Sequence, residues 1–295
     1  MNGSGITVRC PGKINWALRV LGKRPDGFHE VVTVLQAIDL WDTLTIHGSD
    51  SLAITCDSAE LPVGEDNLVI RAARALAREA GIREPGATIH LQKRIPAGGG
   101  LGGGSSDAAG ALLGLARIWS LGLGRDALEE IAAELGSDAP FFLTGGTALG
   151  TGRGERIDAL PFAGEVPLLL GFPPVGISTA EVYSRLGADL TLPANGVNLS
   201  GLRALKLPGN KDFGFAINDL EPVVFARWTE LRSFRDCLLG EGALHAMLSG
   251  SGSTVFGVFG DEDGMNRAGE NLTGRFRHWK LYRTRTVAGA ACLVT

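Results

Sequence analysis

A glycine-rich segment near position 100 carries the clearest chemical signal in this sequence. Six of the seven residues from 98 to 104 are glycine, and Ser-Ser-Asp follows, which suits the start of a helix. Glycine lets a ligand approach the backbone closely, and a helix N-terminus offers unpaired N–H groups and a partial positive charge. The pattern therefore predicts a phosphate-binding loop rather than a flexible surface loop. The residues predicted to contact phosphate are Pro96, Ala97, Gly98, Gly99, Gly100, Leu101, Gly102, Gly103, Gly104, Ser105 and Ser106.

The residues of this loop leave more than one class of nucleotide ligand open. A Walker loop places Lys before Ser or Thr, whereas Gly104 stands directly before Ser105. Gly98, Gly100 and Gly103 match the spacing of the dinucleotide fingerprint, but no clear βαβ unit contains them. A dinucleotide-dependent oxidoreductase and a non-catalytic ATP-binding module both remain open on these residues alone.

Hydrophobic periodicity predicts the elements that must position this loop. Strands are predicted at 6–20 with a break at Pro11-Gly12, and at 31–38, 44–46, 52–54, 88–91, 167–172, 255–259 and 282–287. Helices are predicted at 67–80, 105–119, 126–135, 220–232 and 261–272. Strands precede helices in much of the first half, which favours an α+β fold over regular βαβ repetition. The length of 295 residues fits two domains, predicted at 1–160 and 161–295.

Composition limits the classes of protein that the chain can be. Hydrophobic residues make up 44% and charged residues 20%, as in ordinary globular proteins. The net charge of −4 gives no overall basic field for nucleic acid or membranes, so neither partner is expected. The four cysteines and five histidines are scattered, so a disulfide framework and a structural metal are not expected. No signal peptide pattern and no apolar run of roughly 20 residues is found, and a cytoplasmic enzyme is predicted.

Three motifs, in order along the chain, resemble those of the GHMP kinases, the superfamily of galactokinase, homoserine kinase and mevalonate kinase. They are the Pro-Gly-Lys-Ile-Asn run at 11–15, the glycine loop at 96–106, and Leu-Ser-Gly-Ser-Gly-Ser at 248–253. The resemblance implies an ATP-dependent kinase that uses Mg²⁺, although no carboxylate cluster identifies a protein ligand for the metal. It also implies an N-terminal ribosomal-protein-S5-like domain that binds ATP and carries catalysis, followed by a C-terminal ferredoxin-like α/β sandwich domain.

Two further segments resemble one branch of that superfamily, which phosphorylates a cytidine diphosphate conjugate of methylerythritol. They are Arg-Pro-Asp-Gly-Phe-His-Glu at 24–30 and Ser-Asp-Ala-Pro-Phe-Phe-Leu at 137–143. The resemblance implies phosphorylation of the 2-hydroxyl of the methylerythritol part, in non-mevalonate isoprenoid precursor biosynthesis. That branch usually has Tyr where Phe28 stands, so a stacking role is expected of Phe28 but not a hydroxyl role. The alternative is a kinase for a sugar alcohol or homoserine. In such an enzyme a cytosine-binding turn at 27–29 would have no function.

The resemblance gives catalytic roles to two residues that lie far apart in the sequence. Asp138 is the candidate general base, which accepts the proton of the attacking hydroxyl and also contacts the acceptor substrate. Its spacing from Pro140 alone favours a helix N-cap, whereas the resemblance favours catalysis, and both roles are compatible. Lys13 is the candidate partner that keeps Asp138 ionised and stabilises charge on the transferring phosphoryl group. Asn15 is predicted to hydrogen-bond the acceptor substrate.

Aromatic and hydroxyl residues complete the predicted site. Phe28 and His29 are predicted to recognise cytosine, and Tyr183 is the candidate for a second stacking face or a core aromatic. Ser105 and Ser106 are expected to contact phosphate or Mg²⁺, or else to cap the helix. Asp107 is expected to favour the helix dipole, with a place near the metal as the alternative. The loop at 250–253 is expected to shape the phosphate end of the site. The expected partners are ATP and the small-molecule acceptor, with the chain as a monomer or a weak homodimer.

Overall fold

The computed structural model describes residues 5–162, 164–186 and 213–294. The first four residues, where the search for a signal peptide begins, lie outside this part. The strands are β1 Ile6–Lys23, β2 His29–Gly48, β3 Leu52–Cys56, β4 Ala87–Gln92, β5 Thr147–Thr151, β6 Arg156–Leu160, β7 Pro167–Phe172, β8 Ile217–Asn218, β9 His245–Leu248, β10 Val255–Val258, β11 Lys280–Arg285 and β12 Cys292–Val294. The helices are α1 Leu68–Glu79, α2 Gly103–Ile118, α3 Arg125–Leu135, α4 Ala139–Thr144, α5 Thr179–Ser184, α6 Glu221–Arg227, α7 Thr229–Gly240 and α8 Glu262–Arg275.

An eight-stranded sheet is built around the long antiparallel pair of β1 and β2. Its main path runs β12-β1-β2-β4-β3, with β5 and β6 added beside β2 and β8 parallel to β1. The helices α1, α2 and α3 cover one face, where helix side chains such as Leu76 and Leu112 share a core with Leu44 of β2. A Cβ added at Gly110 of α2 would lie 2.3 Å from Cys10 Sγ, so this glycine lets the helix approach the sheet closely.

The predicted break at Pro11-Gly12 is wrong, because β1 continues through it. The pairing with β2 shifts register between Pro11 and Gly12, so the two residues form a bulge rather than an end. The segments predicted as separate strands at 31–38 and 44–46 likewise form one continuous strand, β2. The bulge directly precedes Lys13, and β1 stays paired with β2 on both sides of the irregularity.

A four-stranded antiparallel sheet with the order β11-β7-β10-β9 forms the second layer. The helices α6, α7 and α8 pack against one of its faces around three aromatic rings. Phe234 and Trp279 stack on each other, and Phe276 meets both of them edge-on. Its other face meets the first sheet, where Trp16 packs edge-on against Phe256. This core between the sheets joins the two halves of the chain into one packed unit.

The helix predicted at 220–232 is two helices, and the second runs on to Gly240. The backbone of Trp228 is not helical (φ −116°, ψ 75°), which separates α6 from α7. The strands β8 and β12 come from the second half and pair with β1, so they return to the first sheet. The domain boundary between residues 160 and 161 stays a prediction, whereas the mixture of sheets and helices is the α+β class that the sequence predicts. Among the described residues, every helix is too short or too polar to cross a membrane.

Candidate active site

Lys13 and Asp138 are brought together although they lie 125 positions apart in the numbering. Lys13 Nζ lies 3.3 Å from Asp138 Oδ2, with the lysine side chain 4% exposed and the aspartate side chain 35% exposed. Asp138 occupies the N-cap position of α4, but its carboxylate makes no capping hydrogen bond. The carboxylate is therefore available to a ligand on its open side and to a cation on the other.

A chain of buried hydrogen bonds holds this lysine in place. Lys13 Nζ donates to Asn15 Oδ1 at 2.8 Å, and Asn15 Nδ2 donates to Thr33 Oγ1 at 2.8 Å. Thr33 in turn donates to the Ala17 carbonyl at 2.7 Å, which fixes the orientation of the Asn15 amide. Sequence reasoning missed Thr33, which no motif contains and which becomes a neighbour only because β2 pairs with β1.

The glycine loop turns into α2 through three left-handed residues. Gly98, Gly100 and Gly102 have φ of 69°, 76° and 70°, values that favour glycine. The helix begins at Gly103, so Ser105 and Ser106 lie inside its first turn and neither caps it. Ser105 lines the cavity described below, while Ser106 Oγ is buried without a hydrogen-bond partner among the described residues.

The loop at 248–253 is fastened directly to the glycine loop. Ser249 Oγ donates to the Gly100 carbonyl at 2.9 Å, and Thr254 N donates to the Gly99 carbonyl at 3.1 Å. A Cβ at Gly250 (φ 58°) would lie only 3.2 Å from Lys13 Nζ, so a glycine is needed where this loop passes the lysine. The three motifs read from the sequence therefore converge on one place.

Asn218 is a second residue that sequence reasoning missed. Its Nδ2 donates to the Gly250 carbonyl at 2.8 Å and to the Leu248 carbonyl at 3.1 Å, which braces the loop at 248–253. Asn218 lies on the two-residue strand β8, a segment too short to show a periodic pattern.

The turn after β1 presents the residues predicted to recognise a base. Phe28 N donates to Asp26 Oδ1 at 3.1 Å, and the Phe28 ring is 52% exposed. The Tyr183 ring lies against His29, with 4.9 Å between the ring centroids, rather than against Phe28.

Burial sets the protonation of these two rings. Burial, with a smaller effect of the Lys23 charge, lowers the pKa of His29, so the imidazole is neutral at neutral pH. Burial, reinforced by Asp138 and Asp219, raises the pKa of Tyr183, so its phenol keeps its proton.

One cavity of about 800 Å³ connects these features. The Lys13–Asp138 pair, the glycine loop and the Phe28–His29 turn all contribute to its walls. Its remaining lining comes chiefly from α5 and from residues 250–252 of the loop at 248–253. The volume is that of an ordinary small-molecule binding site.

A second lysine beneath the loop is fully engaged by two carboxylates. Lys93 Nζ donates to Asp42 Oδ2 at 2.5 Å and to Asp107 Oδ2 at 2.7 Å, and all three side chains are buried. The expectation that Asp107 favours the helix dipole is wrong, because no acidic residue lies in the first turn of α2. Burial, opposed by Lys93 and reinforced by Asp42, raises the pKa of Asp107 to about 7.

No sequence motif could have identified the buried group of Lys93, Asp42 and Asp107. Asp42 Oδ1 also accepts the backbone N–H groups of Arg94 and Ile95, at 2.5 and 2.9 Å, so it ties β2 to the start of the glycine loop. Among the described residues no cluster of three or more His, Cys, Asp or Glu side chains forms a metal site.

Comparison with known proteins places these features in a family. The GHMP kinases N terminal domain matches residues 67–146, and the GHMP kinases C terminal domain matches residues 199–278. The chain is 44% identical to a 4-diphosphocytidyl-2-C-methyl-D-erythritol kinase of Pelotomaculum thermopropionicum, over 87% of this chain and 90% of that protein. It is 40% identical to the protein of that name from Streptomyces coelicolor, over 98% of both chains.

Solved structures agree with the sequence matches. A crystal structure of 4-(cytidine 5'-diphospho)-2C-methyl-D-erythritol kinase superposes with a TM-score of 0.77 and 33% identity, covering 96% of this chain and 100% of that one. A homoserine kinase from Cytophaga hutchinsonii superposes with a TM-score of 0.78 at 20% identity, over 99% and 98% of the two chains, and supports the fold alone. The two-domain GHMP kinase fold predicted from the sequence is confirmed, and the oxidoreductase alternative is not favoured. The chain belongs to the GHMP kinases and, within them, to the 4-diphosphocytidyl-2-C-methyl-D-erythritol kinase family.

Proposed function

We propose that the protein transfers the γ-phosphoryl group of ATP to the 2-hydroxyl of 4-diphosphocytidyl-2-C-methyl-D-erythritol, in non-mevalonate isoprenoid precursor biosynthesis. The names of the relatives support this acceptor. The observation that carries the proposal is the 3.3 Å contact between Lys13 and Asp138, which lies in one cavity with the glycine loop and the Phe28–His29 turn.

In the reaction Asp138 acts on the acceptor hydroxyl. Its partly exposed carboxylate accepts the hydroxyl proton as the oxygen attacks the γ-phosphorus, and the bond from that phosphorus to the bridging oxygen of ADP breaks. Lys13 keeps the carboxylate ionised before attack and stabilises the negative charge on the transferring group. Because Asn15 and Gly250 hold the ammonium group closely, Lys13 enters the reaction already oriented.

The phosphates of ATP lie at the N-terminus of α2 in this proposal. The backbone N–H groups of residues 103–105 have no partners earlier in the helix, and the left-handed glycines before them open space for phosphate oxygens. Mg²⁺, when bound, neutralises phosphate charge. The buried Ser106 hydroxyl, which lacks a partner among the described residues, and the cavity-lining Ser105 are the side chains that would contact an ATP–Mg²⁺ complex bound here.

The acceptor is recognised at the other end of the cavity. A neutral His29 offers one ring N–H donor and one ring nitrogen acceptor, a combination that suits the edge of cytosine. The exposed Phe28 ring offers a stacking face. Asn15 Nδ2 carries two N–H donors and gives one to Thr33, so the other is left for a substrate hydroxyl.

Release of ADP with a panel of alcohols tests this proposal. We expect ADP with the cytidine conjugate and ATP, and background levels with homoserine, mevalonate and free methylerythritol. The 2-hydroxyl is tertiary, so phosphorylation there gives a phosphorus NMR signal with no three-bond coupling to a carbon-bound proton. ADP from homoserine but not from the conjugate would support the alternative kinase, and no ADP from any alcohol would reject both.

A further inference from the structure

We propose that Asn218 and Glu221 are positioning residues for phosphoryl transfer, which act by holding the loop at 248–253 against Lys13. Neither side chain lines the cavity, and none of the motifs read from the sequence contains either residue. This inference rests on the proposed function for one point, the role of Lys13 in stabilising the transferring phosphoryl group.

The buried Asn218 amide is bonded through both of its polar atoms. Its Nδ2 donates to the carbonyls of Gly250 and Leu248, at 2.8 and 3.1 Å, and its Oδ1 accepts the Leu220 N–H at 3.0 Å. The bond from Leu220 fixes the orientation of the amide, so both of its N–H groups face the loop. An aspartate in its place keeps the oxygen for Leu220 but has no pair of donors for the two loop carbonyls.

Glu221, the first residue of α6, binds the same loop where the loop begins. Its Oε1 accepts the Leu248 N–H at 2.8 Å, so side chains of one short segment hold both the N–H and the carbonyl of Leu248. Burial, opposed by the Leu248 N–H and by the charge of Arg235, raises the pKa of Glu221. The bond needs an acceptor oxygen rather than a charge, so a glutamine can replace the glutamate here.

Its glycines make the loop dependent on contacts from outside it. Gly250 and Gly252 both have left-handed backbone, with φ of 58° and 87°, and glycine restricts the chain less than other residues do. The Gly252 N–H donates to the Ser249 carbonyl at 3.0 Å, which closes the turn without placing it relative to β1. The placement of the loop relative to β1 therefore comes from neighbouring side chains.

The strand β8 provides this placement because it pairs directly with β1. Asn218 lies opposite Leu18 in the parallel pairing, and the neighbouring Asp219 accepts the Val20 N–H at 2.8 Å. Lys13 lies on the same strand β1. The Asn218 amide therefore fixes the loop relative to the strand that carries the catalytic lysine.

One of the two carbonyls that Asn218 binds belongs to the residue that packs against Lys13. A Cβ at Gly250 would lie 3.2 Å from Lys13 Nζ and 3.3 Å from Asn15 Oδ1, so the loop backbone lies against the hydrogen bond between them. A loop that withdraws gives the ammonium group room to move away from Asp138. Misplacement of a reacting group by about 1 Å costs about 10²-fold in rate, so the loss is expected in turnover.

Steady-state kinetics on the full-length variants test this inference. For Asn218→Asp we expect kcat to fall by about 10- to 100-fold while KM for ATP stays close to the wild-type value. Glu221→Ala should lower kcat by a smaller factor, and it carries the same test at a residue that is only partly buried. Glu221→Gln keeps the acceptor oxygen and should restore kcat to near the wild-type value.

Asp219→Asn is the matched control for a change in this segment. Asp219 lies between the two positioning residues, but its carboxylate binds the Val20 N–H and Arg19 rather than the loop. We expect its melting temperature to fall while kcat stays near that of the wild type. An equal loss of kcat in this control and in Asn218→Asp would overturn the inference, since turnover would then follow the stability of β8.

A double-mutant cycle shows whether Asn218 acts through the lysine. Lys13→Met removes the ammonium group, so adding Asn218→Asp to it should cause no further loss of kcat. If the two losses multiply, the loop serves the reaction without Lys13 and the inference is wrong.

Amide hydrogen exchange observes the loop without any substrate. The N–H groups of Leu248, Ser249 and Gly252 are bonded in the wild type, and we expect them to exchange about tenfold faster in Asn218→Asp, with β7 unchanged. Unchanged exchange in both Asn218→Asp and Glu221→Ala would overturn the inference whatever alcohol the enzyme phosphorylates. The kinetic measurements use the alcohol that releases ADP, so a different acceptor would reject the proposed function and leave this test in place.

Discussion

Two lysine–aspartate groups lie beside successive glycines of the same loop, and they differ in their access to solvent. A Cβ at Gly102 would lie 3.0 Å from Lys13 Cγ, and one at Gly103 would lie 2.8 Å from Lys93 Nζ. Lys13 meets Asp138 at the wall of the open cavity, whereas Lys93 meets Asp42 and Asp107 in the interior. The same residue types can therefore serve proton transfer in one place and the integrity of the loop in the other.

The physical reason for this division is the surroundings of the carboxylates. A carboxylate that faces a cavity can exchange a proton with a substrate. The lysine paired with it favours the ionised form, which is the form that accepts the proton. A carboxylate without solvent contact exchanges no proton with a ligand, but the loss of its charge leaves a buried ammonium group unpaired. Five substitutions test whether the two groups are separated in this way.

Asp138→Asn should cause the largest change, and in turnover alone. The amide keeps the shape of the carboxylate but cannot accept the proton, so we expect kcat to fall by about 10²–10⁴-fold. The melting temperature and KM for ATP should stay near the wild-type values. Asp126→Asn, an exposed aspartate on α3, is the control for loss of one surface charge. Near-normal turnover in Asp138→Asn would show that this carboxylate only positions the hydroxyl.

Asp42→Asn should act on stability instead. Its carboxylate binds Lys93 and accepts two backbone N–H groups, so neutralising it leaves a buried cation short of a partner. Removing one member of a buried ion pair costs about 3–5 kcal/mol, and we expect the free energy of unfolding to fall by that amount. Denaturant titration measures this loss, and kcat of the folded protein should fall far less than in Asp138→Asn. An unchanged unfolding midpoint would contradict the structural role.

The two adjacent glycines provide a sharper form of the comparison. Gly102→Ala would introduce a left-handed alanine 2.7 Å from the Phe142 ring and push on Lys13, so we expect turnover to fall together with stability. Gly103→Ala would push on Lys93 and Ile95, and overpacking of this kind costs about 1–3 kcal/mol in stability. Parallel measurements of kcat and melting temperature separate the two. If kcat falls by the same factor for each degree of melting temperature lost in both variants, the loop responds as a single unit.

The sequence predicted the Lys13–Asp138 pair at the cavity but not the buried group of Lys93, Asp42 and Asp107. Lys13 and Asp138 belong to motifs with a chemical meaning, so their proximity was expected before any geometry was known. Asp42 is 51 positions from Lys93, and they meet only because Thr43 of β2 pairs with Gln92 of β4. A contact set by strand register leaves no local pattern in the sequence.

The same distinction holds for the fold. Segments with a clear hydrophobic signal, such as the amphipathic α1 and the apolar run of β7, were predicted close to their observed bounds. Short strands such as β8 and β12 were missed, because two or three residues show no alternation and pairing alone defines them. The serines after the glycine loop were misplaced because α2 begins two residues earlier, at Gly103, where the helix packs against Lys93 and Ile95.

Asp107→Asn should give the smallest change. It tests whether the two carboxylates of the buried group contribute differently to stability. The group holds two carboxylates and one ammonium, and Asp107 Oδ1 has no hydrogen-bond partner among the described residues. Burial and Asp42 already disfavour the ionised form of Asp107, which is why its pKa is raised to about 7. An amide keeps an oxygen for Lys93 and removes the repulsion from Asp42, so the loss and the gain nearly cancel. We expect the free energy of unfolding at pH 8 to stay within about 1 kcal/mol of the wild type. A loss as large as that of Asp42→Asn would instead show that Lys93 requires both charges.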